Sequence, residues 1–205
     1  MKTAVSSFRL SPIKRVQLNK IRLTIDVLGV TLIRLIDPLI HTSFGHTILS
    51  IYNVAAWITI LTLDPTRIPE FTTTRNQQKK AWLFTLKLLP VILIGLITIA
   101  LGFQLPVLQQ TITPSSVLVV GLGSYMDELL FRNTLQPKLR QWGFSRFGAI
   151  ATQSLLFAAS WWISYNSIGL MVSALFIGLV NGWIVYKYRS LWPVFIISFI
   201  WRVII

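Results

Sequence analysis

Long apolar runs leave this chain little choice of fold. Residues 23–40, 46–63, 81–103, 115–136, 147–163, 168–186 and 190–205 are dominated by Leu, Ile, Val, Phe, Trp and Ala. A helix needs roughly 20 predominantly apolar residues to cross the hydrocarbon core of a bilayer. The expected fold class is therefore all-α, a polytopic transmembrane helix bundle of about seven spans. Composition agrees, with 54% hydrophobic and only 12% charged residues, against about 25% charged in soluble domains. The first run is the weakest. It holds Asp26, Arg34 and Asp37, and an interfacial amphipathic helix is the alternative there. Arg34 and Asp37, three apart, are expected to pair locally.

Nineteen Lys and Arg stand against six Asp and Glu, for a net charge of +13. A basic total raises the question of nucleic acid. The cations fall in short clusters between apolar runs, without the aromatic interleaving of a nucleic-acid surface, so no nucleic-acid partner is expected. Arg67, Arg75, Lys79 and Lys80 lie in 64–80; Lys138, Arg140 and Arg146 in 137–146; Lys187 and Arg189 in 187–189. Segments 41–45, 104–114 and 164–167 have no charged residue. Basic and uncharged connections alternate. By the positive-inside rule the N-terminus is then cytoplasmic and the C-terminus on the opposite side. Residues 1–22 read as a basic cytoplasmic tail rather than a cleaved signal peptide, lying on anionic lipid or solvated. Residues 23–79 read as a helical hairpin with a basic loop, and 80–205 as the transmembrane core. There is no cysteine, hence no disulfide, thiol nucleophile or Cys-based metal site.

The stretch YMDELLFRNTL, residues 125–135, places Asp127 and Glu128 inside an apolar run. They fall about twelve residues into it, near mid-depth at about 1.5 Å per residue. Ionisable groups at that depth are costly and point to function. Glu128 and Arg132 are four apart and can pair on one helix face. Asp127 is turned about 100° away. Ser124 offers it only a weak hydroxyl contact, and Gly121 and Gly123 allow a neighbouring helix to come close. Asp127 is expected to face the bundle interior.

The arrangement resembles the CPBP family of intramembrane proteases, also called Abi proteins, which process CAAX motifs and bacteriocins. Their signature is Glu-Glu-x-x-x-Arg, then Phe-x-x-x-His, then His-x-x-x-Asn or Asp, on separate membrane helices. Here the first motif reads Asp127-Glu128-Leu129-Leu130-Phe131-Arg132. In the second, Phe157 is present and Trp161 stands at the histidine position. In the third, after Ser190-Leu191-Trp192, Ser198 takes the place of histidine and Arg202 that of the Asn or Asp. The resemblance covers roughly residues 80–205.

In the family the first Glu and the two histidines are held to activate water. The resemblance therefore implies a protease fold with a dismantled site. Asp127 is one methylene shorter than Glu, and neither Trp161 nor Ser198 supplies a base. Arg202 is expected either to pair with Asp127 or to snorkel to the outer interface. The implied role is a binding, protective or scaffold subunit with membrane lipids and a membrane protein or peptide as partners. The alternatives are an active CAAX-type endopeptidase using Asp127 and Glu128, and a small transporter. No cofactor and no metal are expected. His41 and His46 are too far apart in helical angle for a zinc pair and read as interfacial loop residues. Most of the tryptophans read as membrane-interface belt residues. Asn181 reads as an interhelical hydrogen-bonding residue, and Gly178 with Gly182 as a close-packing face.

Overall fold

The computed structural model describes residues 12–36, 74–105 and 113–204, with single positions between 39 and 58. Every element among them is helical: α1 (Pro12–Ile36), α2 (Arg75–Gly102), α3 (Pro114–Glu128), a π-helical segment (Leu129–Leu135), α4 (Gln136–Gln141), α5 (Arg146–Tyr165), α6 (Ile168–Tyr188) and α7 (Trp192–Ile204). Of these, α2 and α6 are long and apolar enough to cross a membrane, and α7 is a shorter apolar helix. Most of the expected second span, His41, His46, Asp37 and the side chain of Arg34 lie outside the described residues.

Caps set several boundaries that hydropathy misses. Helix α1 starts at Pro12, within the stretch expected to be a tail; proline suits a first helical position because its missing N–H would go unused there. Helix α2 starts at Arg75 with a capping box. The Thr74 hydroxyl accepts from the Gln77 backbone N–H at 3.3 Å, and the Gln77 side-chain Oε1 accepts from the Thr74 N–H at 3.1 Å. Arg75, Lys79 and Lys80 thus belong to the first turns of a helix rather than to a loop. Ser145 and Ser167 cap α5 and α6 by accepting from the Gly148 and Leu170 N–H groups. Asn166, in the left-handed conformation at φ 48°, ends α5 and makes its turn into α6 tight.

Helices α5 and α6 form the tightest pair. A Cβ on Gly178 would stand 3.0 Å from Ser154 Cβ, and one on Gly182 would stand 2.5 Å from Gln153 Nε2. Without side chains there, the backbones approach, and Gln153 donates across to the Gly178 carbonyl at 3.1 Å. Helix α1 lays Leu23, Val27, Val30 and Thr31 inward against the π segment and α5. Helices α3 and α7 pack antiparallel, with Tyr125 against Phe195 and Gly121 facing Phe199.

The expected span 115–136 is not one regular α-helix. Its turn after Glu128 widens to π geometry over Leu129–Leu135, all of it buried. Thr134 closes one wide turn by donating its hydroxyl to the Leu129 carbonyl, five residues back, at 2.8 Å. Such segments are rare and concentrate at functional sites.

Candidate functional site

The junction of α3 and the π segment presents two carboxylates in different directions. Glu128 is fully buried and Asp127 nearly so. Arg132 is also fully buried, with Nε 3.3 Å from Glu128 Oε2. Its guanidinium carbon stands 4.2 Å from the centre of the Phe157 ring, so an aromatic face supplies part of what water would supply outside.

Glu128 Oε1 is committed to other helices. It accepts from Ser198 Oγ of α7 at 2.5 Å and from Asn181 Nδ2 of α6 at 3.0 Å. The same Asn181 amide donates to Ser198 Oγ at 2.8 Å and to the Val194 carbonyl at 3.2 Å. One amide therefore ties α3, α6 and α7 at a point where all three side chains are buried. This is the interhelical hydrogen bonding expected of Asn181. Its convergence with Ser198 on one carboxylate oxygen was not visible in the sequence, since Asn181 and Ser198 are 17 residues apart on different helices.

Asp127 Oδ2 forms an ion pair with Arg202 Nη2. The pairing expectation for Arg202 is the one the structure realises. Arg202 does not reach away to solvent; its side chain is 11% exposed. Gly123 makes room for it, since a Cβ there would be 3.0 Å from Arg202 Nη1. The guanidinium also lies 4.8 Å from the Trp161 ring centre.

Trp161 belongs to an aromatic wall. Its ring meets Trp201 at 4.6 Å, Tyr165 at 5.1 Å and Phe157 at 6.4 Å. Trp201 is fully buried and donates its indole N–H to Ser173 Oγ at 3.2 Å. Trp201 is thus an interior residue and Trp161 a partly buried one packed against the core, a correction to the interface-belt reading. Ring stacking and the Ser173 acceptor make an interior position favourable for Trp201. Trp82, Trp142, Trp162, Trp183 and Trp192 do lie exposed.

The structure therefore gathers Asp127, Glu128, Arg132, Phe157, Trp161, Ser198 and Arg202 into one buried region. Four charges there form two ion pairs bridged by uncharged side chains. Among the described residues no three His, Cys, Asp or Glu side chains converge as metal ligands. An apolar groove of about 470 Å³ runs between α3 and α7, past Gly121, Tyr125, Trp192, Phe195 and Phe199.

Residues 109–204 match the family model described as type II CAAX prenyl endopeptidase Rce1-like. The match takes in all seven of these side chains. No curated protein and no solved structure matches the chain.

Proposed function

We propose, because the chain belongs through residues 109–204 to the Rce1-like CAAX prenyl endopeptidase family, that it is a membrane-embedded family member in which the reacting centre has become a polar lock. Its role is then that of a binding, protective or scaffold subunit for a membrane peptide or protein. One observation carries this reading: both carboxylates are already engaged. Asp127 faces a guanidinium, and Glu128 receives two hydrogen bonds and a second guanidinium. A general base must reach a proton of the water it activates. Here the nearest hydroxyl donor to Glu128 is Ser198 of the chain itself, and at 161 an indole closes over the neighbouring space. The seven-span arrangement with a cytoplasmic N-terminus belongs to the same reading, supported by the two long apolar helices and the alternation of basic and uncharged connections.

The test is hydrolysis of prenylated CAAX peptides by protein reconstituted in liposomes. No cleavage is expected from the natural chain. Restoring the family pattern with Asp127→Glu, Trp161→His, Ser198→His and Arg202→Asn together is expected to produce cleavage. Cleavage by the natural chain that disappears in Asp127→Ala or Glu128→Ala would instead establish an active endopeptidase.

A further inference from the structure

One end of the bundle carries a built cationic surface. Phe84 of α2 meets Tyr188 of α6 at 5.3 Å between ring centres, and Phe147 of α5 stacks on Trp183 of α6 at 5.9 Å. These contacts bring the start of α2, the start of α5 and the end of α6 to the same end. Exposed there are Arg75, Lys79 and Lys80 of α2, Arg140 of α4, Arg146 of α5 and Lys187 of α6. Among the described residues at this end, 74–84, 138–148 and 183–190, there is no Asp or Glu.

Three of these cations are held in place. Lys187 Nζ is 5.0 Å from the Phe84 ring centre and 5.2 Å from that of Tyr188. The Arg146 guanidinium is 4.6 Å from Tyr186. Arg140 Nη1 donates to the Phe144 carbonyl at 2.9 Å. Ordering the side chains beforehand lowers the entropy cost of binding an anion. Trp142, Phe144 and Phe147 are exposed beside them. This corrects the sequence reading that aromatic interleaving is absent: between Arg140 and Phe147 the exposed cations Arg140 and Arg146 are interspersed with Trp142, Phe144 and Phe147.

That mixture fits nucleic acid or a lipid headgroup layer, and the surroundings decide between them. The patch caps α2 and α6, the two helices apolar enough to cross a bilayer. Exposed Leu83 and Leu86 begin directly beyond Lys80. Cations with aromatic neighbours at the rim of an apolar belt meet phosphodiesters at headgroup level. We propose that this end binds anionic glycerophospholipid, with Arg140, Arg146 and Lys187 holding the headgroup. The proposal is independent of whether the buried carboxylates split any bond.

The test measures phosphatidylglycerol binding to the detergent-purified full chain by native mass spectrometry, with phosphatidylcholine as the zwitterionic reference. Phosphatidylglycerol is expected to be retained preferentially. Each cation removed is expected to weaken it about fivefold, so R140Q/R146Q/K187Q loses on the order of 100-fold. The charge-preserving R140K/R146K/K187R is expected to keep the preference, which separates charge from packing. Equal retention of both lipids, or unchanged binding by the R140Q/R146Q/K187Q chain, overturns the proposal. So does displacement by equimolar soluble glycerol phosphate, which would mark a free-phosphate site, or tighter binding of a single-stranded oligonucleotide than of phosphatidylglycerol.

Discussion

The two ion pairs at the site are not equivalent. Glu128–Arg132 lies within one chain segment and is fully enclosed. Asp127–Arg202 joins helices 75 residues apart in sequence and so contributes to tertiary structure. Removing one partner of a buried pair leaves an uncompensated charge and costs about 3 kcal/mol or more. Arg202→Ala and Asp127→Ala are each expected to lower thermal stability in detergent by that order, and the double variant by less than either alone. Equal, additive losses would mean the two side chains do not depend on one another. Asn181→Ala leaves Glu128 with one hydrogen bond fewer and removes a donor to the Val194 carbonyl; a loss of about 2 kcal/mol is expected by the same measurement. At this scale the sequence was informative wherever charge stood out against an apolar background, as for Asp127, Glu128, Arg132 and Arg202. It was uninformative for Trp201, one of eight tryptophans, whose interior role depends on a Ser173 acceptor on another helix.

Among the elements, the apolar runs located the helix bodies but not their ends. Hydropathy does not register the Thr74–Gln77 capping box, so α2 reaches back to Arg75 and carries its basic residues on the helix. Nor does it register the π segment, because seven buried residues in π geometry are as apolar as the same residues in an α-helix. That segment matters to the site, since the widened turn sets the direction of everything after Glu128 relative to α3. Deleting one residue from Leu129–Leu135 is expected to restore α geometry, seen as loss of the five-residue Thr134–Leu129 contact in a structure of the variant, while the residues after it keep nearly their present direction relative to α3. The GxxxG-like face of α6 was legible, and it gives a sharper expectation. A Cβ at Gly178 would meet Ser154 Cα at 3.1 Å, and backbone cannot step aside as a side-chain tip can. Gly178→Ala is expected to lower stability by about 1–3 kcal/mol in thermal unfolding, the cost of forcing α5 and α6 apart.

For the whole molecule, the alternation of basic and uncharged connections makes an orientation prediction that the absence of cysteine renders easy to check. Gln141→Cys, at the basic end, and Asn166→Cys, in the uncharged turn, place single thiols at opposite ends of α5. In sealed, right-side-out vesicles a membrane-impermeant maleimide is expected to label Asn166→Cys directly, and Gln141→Cys only after permeabilisation. Labelling of both from the same side would contradict the proposed arrangement. The overall all-helical fold was legible because long apolar runs allow few other solutions. How the helices pair was not legible, because pairing rests on contacts such as Gly182 with Gln153 that combine residues distant in the chain.

The matched charges of the interior have an electrical consequence. A lone elementary charge in the membrane field exchanges about 2.3 kcal/mol for each 100 mV across the bilayer. In the proposed membrane-embedded arrangement, Asp127 with Arg202 and Glu128 with Arg132 each sum to zero within a few ångströms, so a membrane potential would exert almost no net pull on these two pairs. The polar centre held in this way is expected to keep one arrangement as the cell polarises and depolarises.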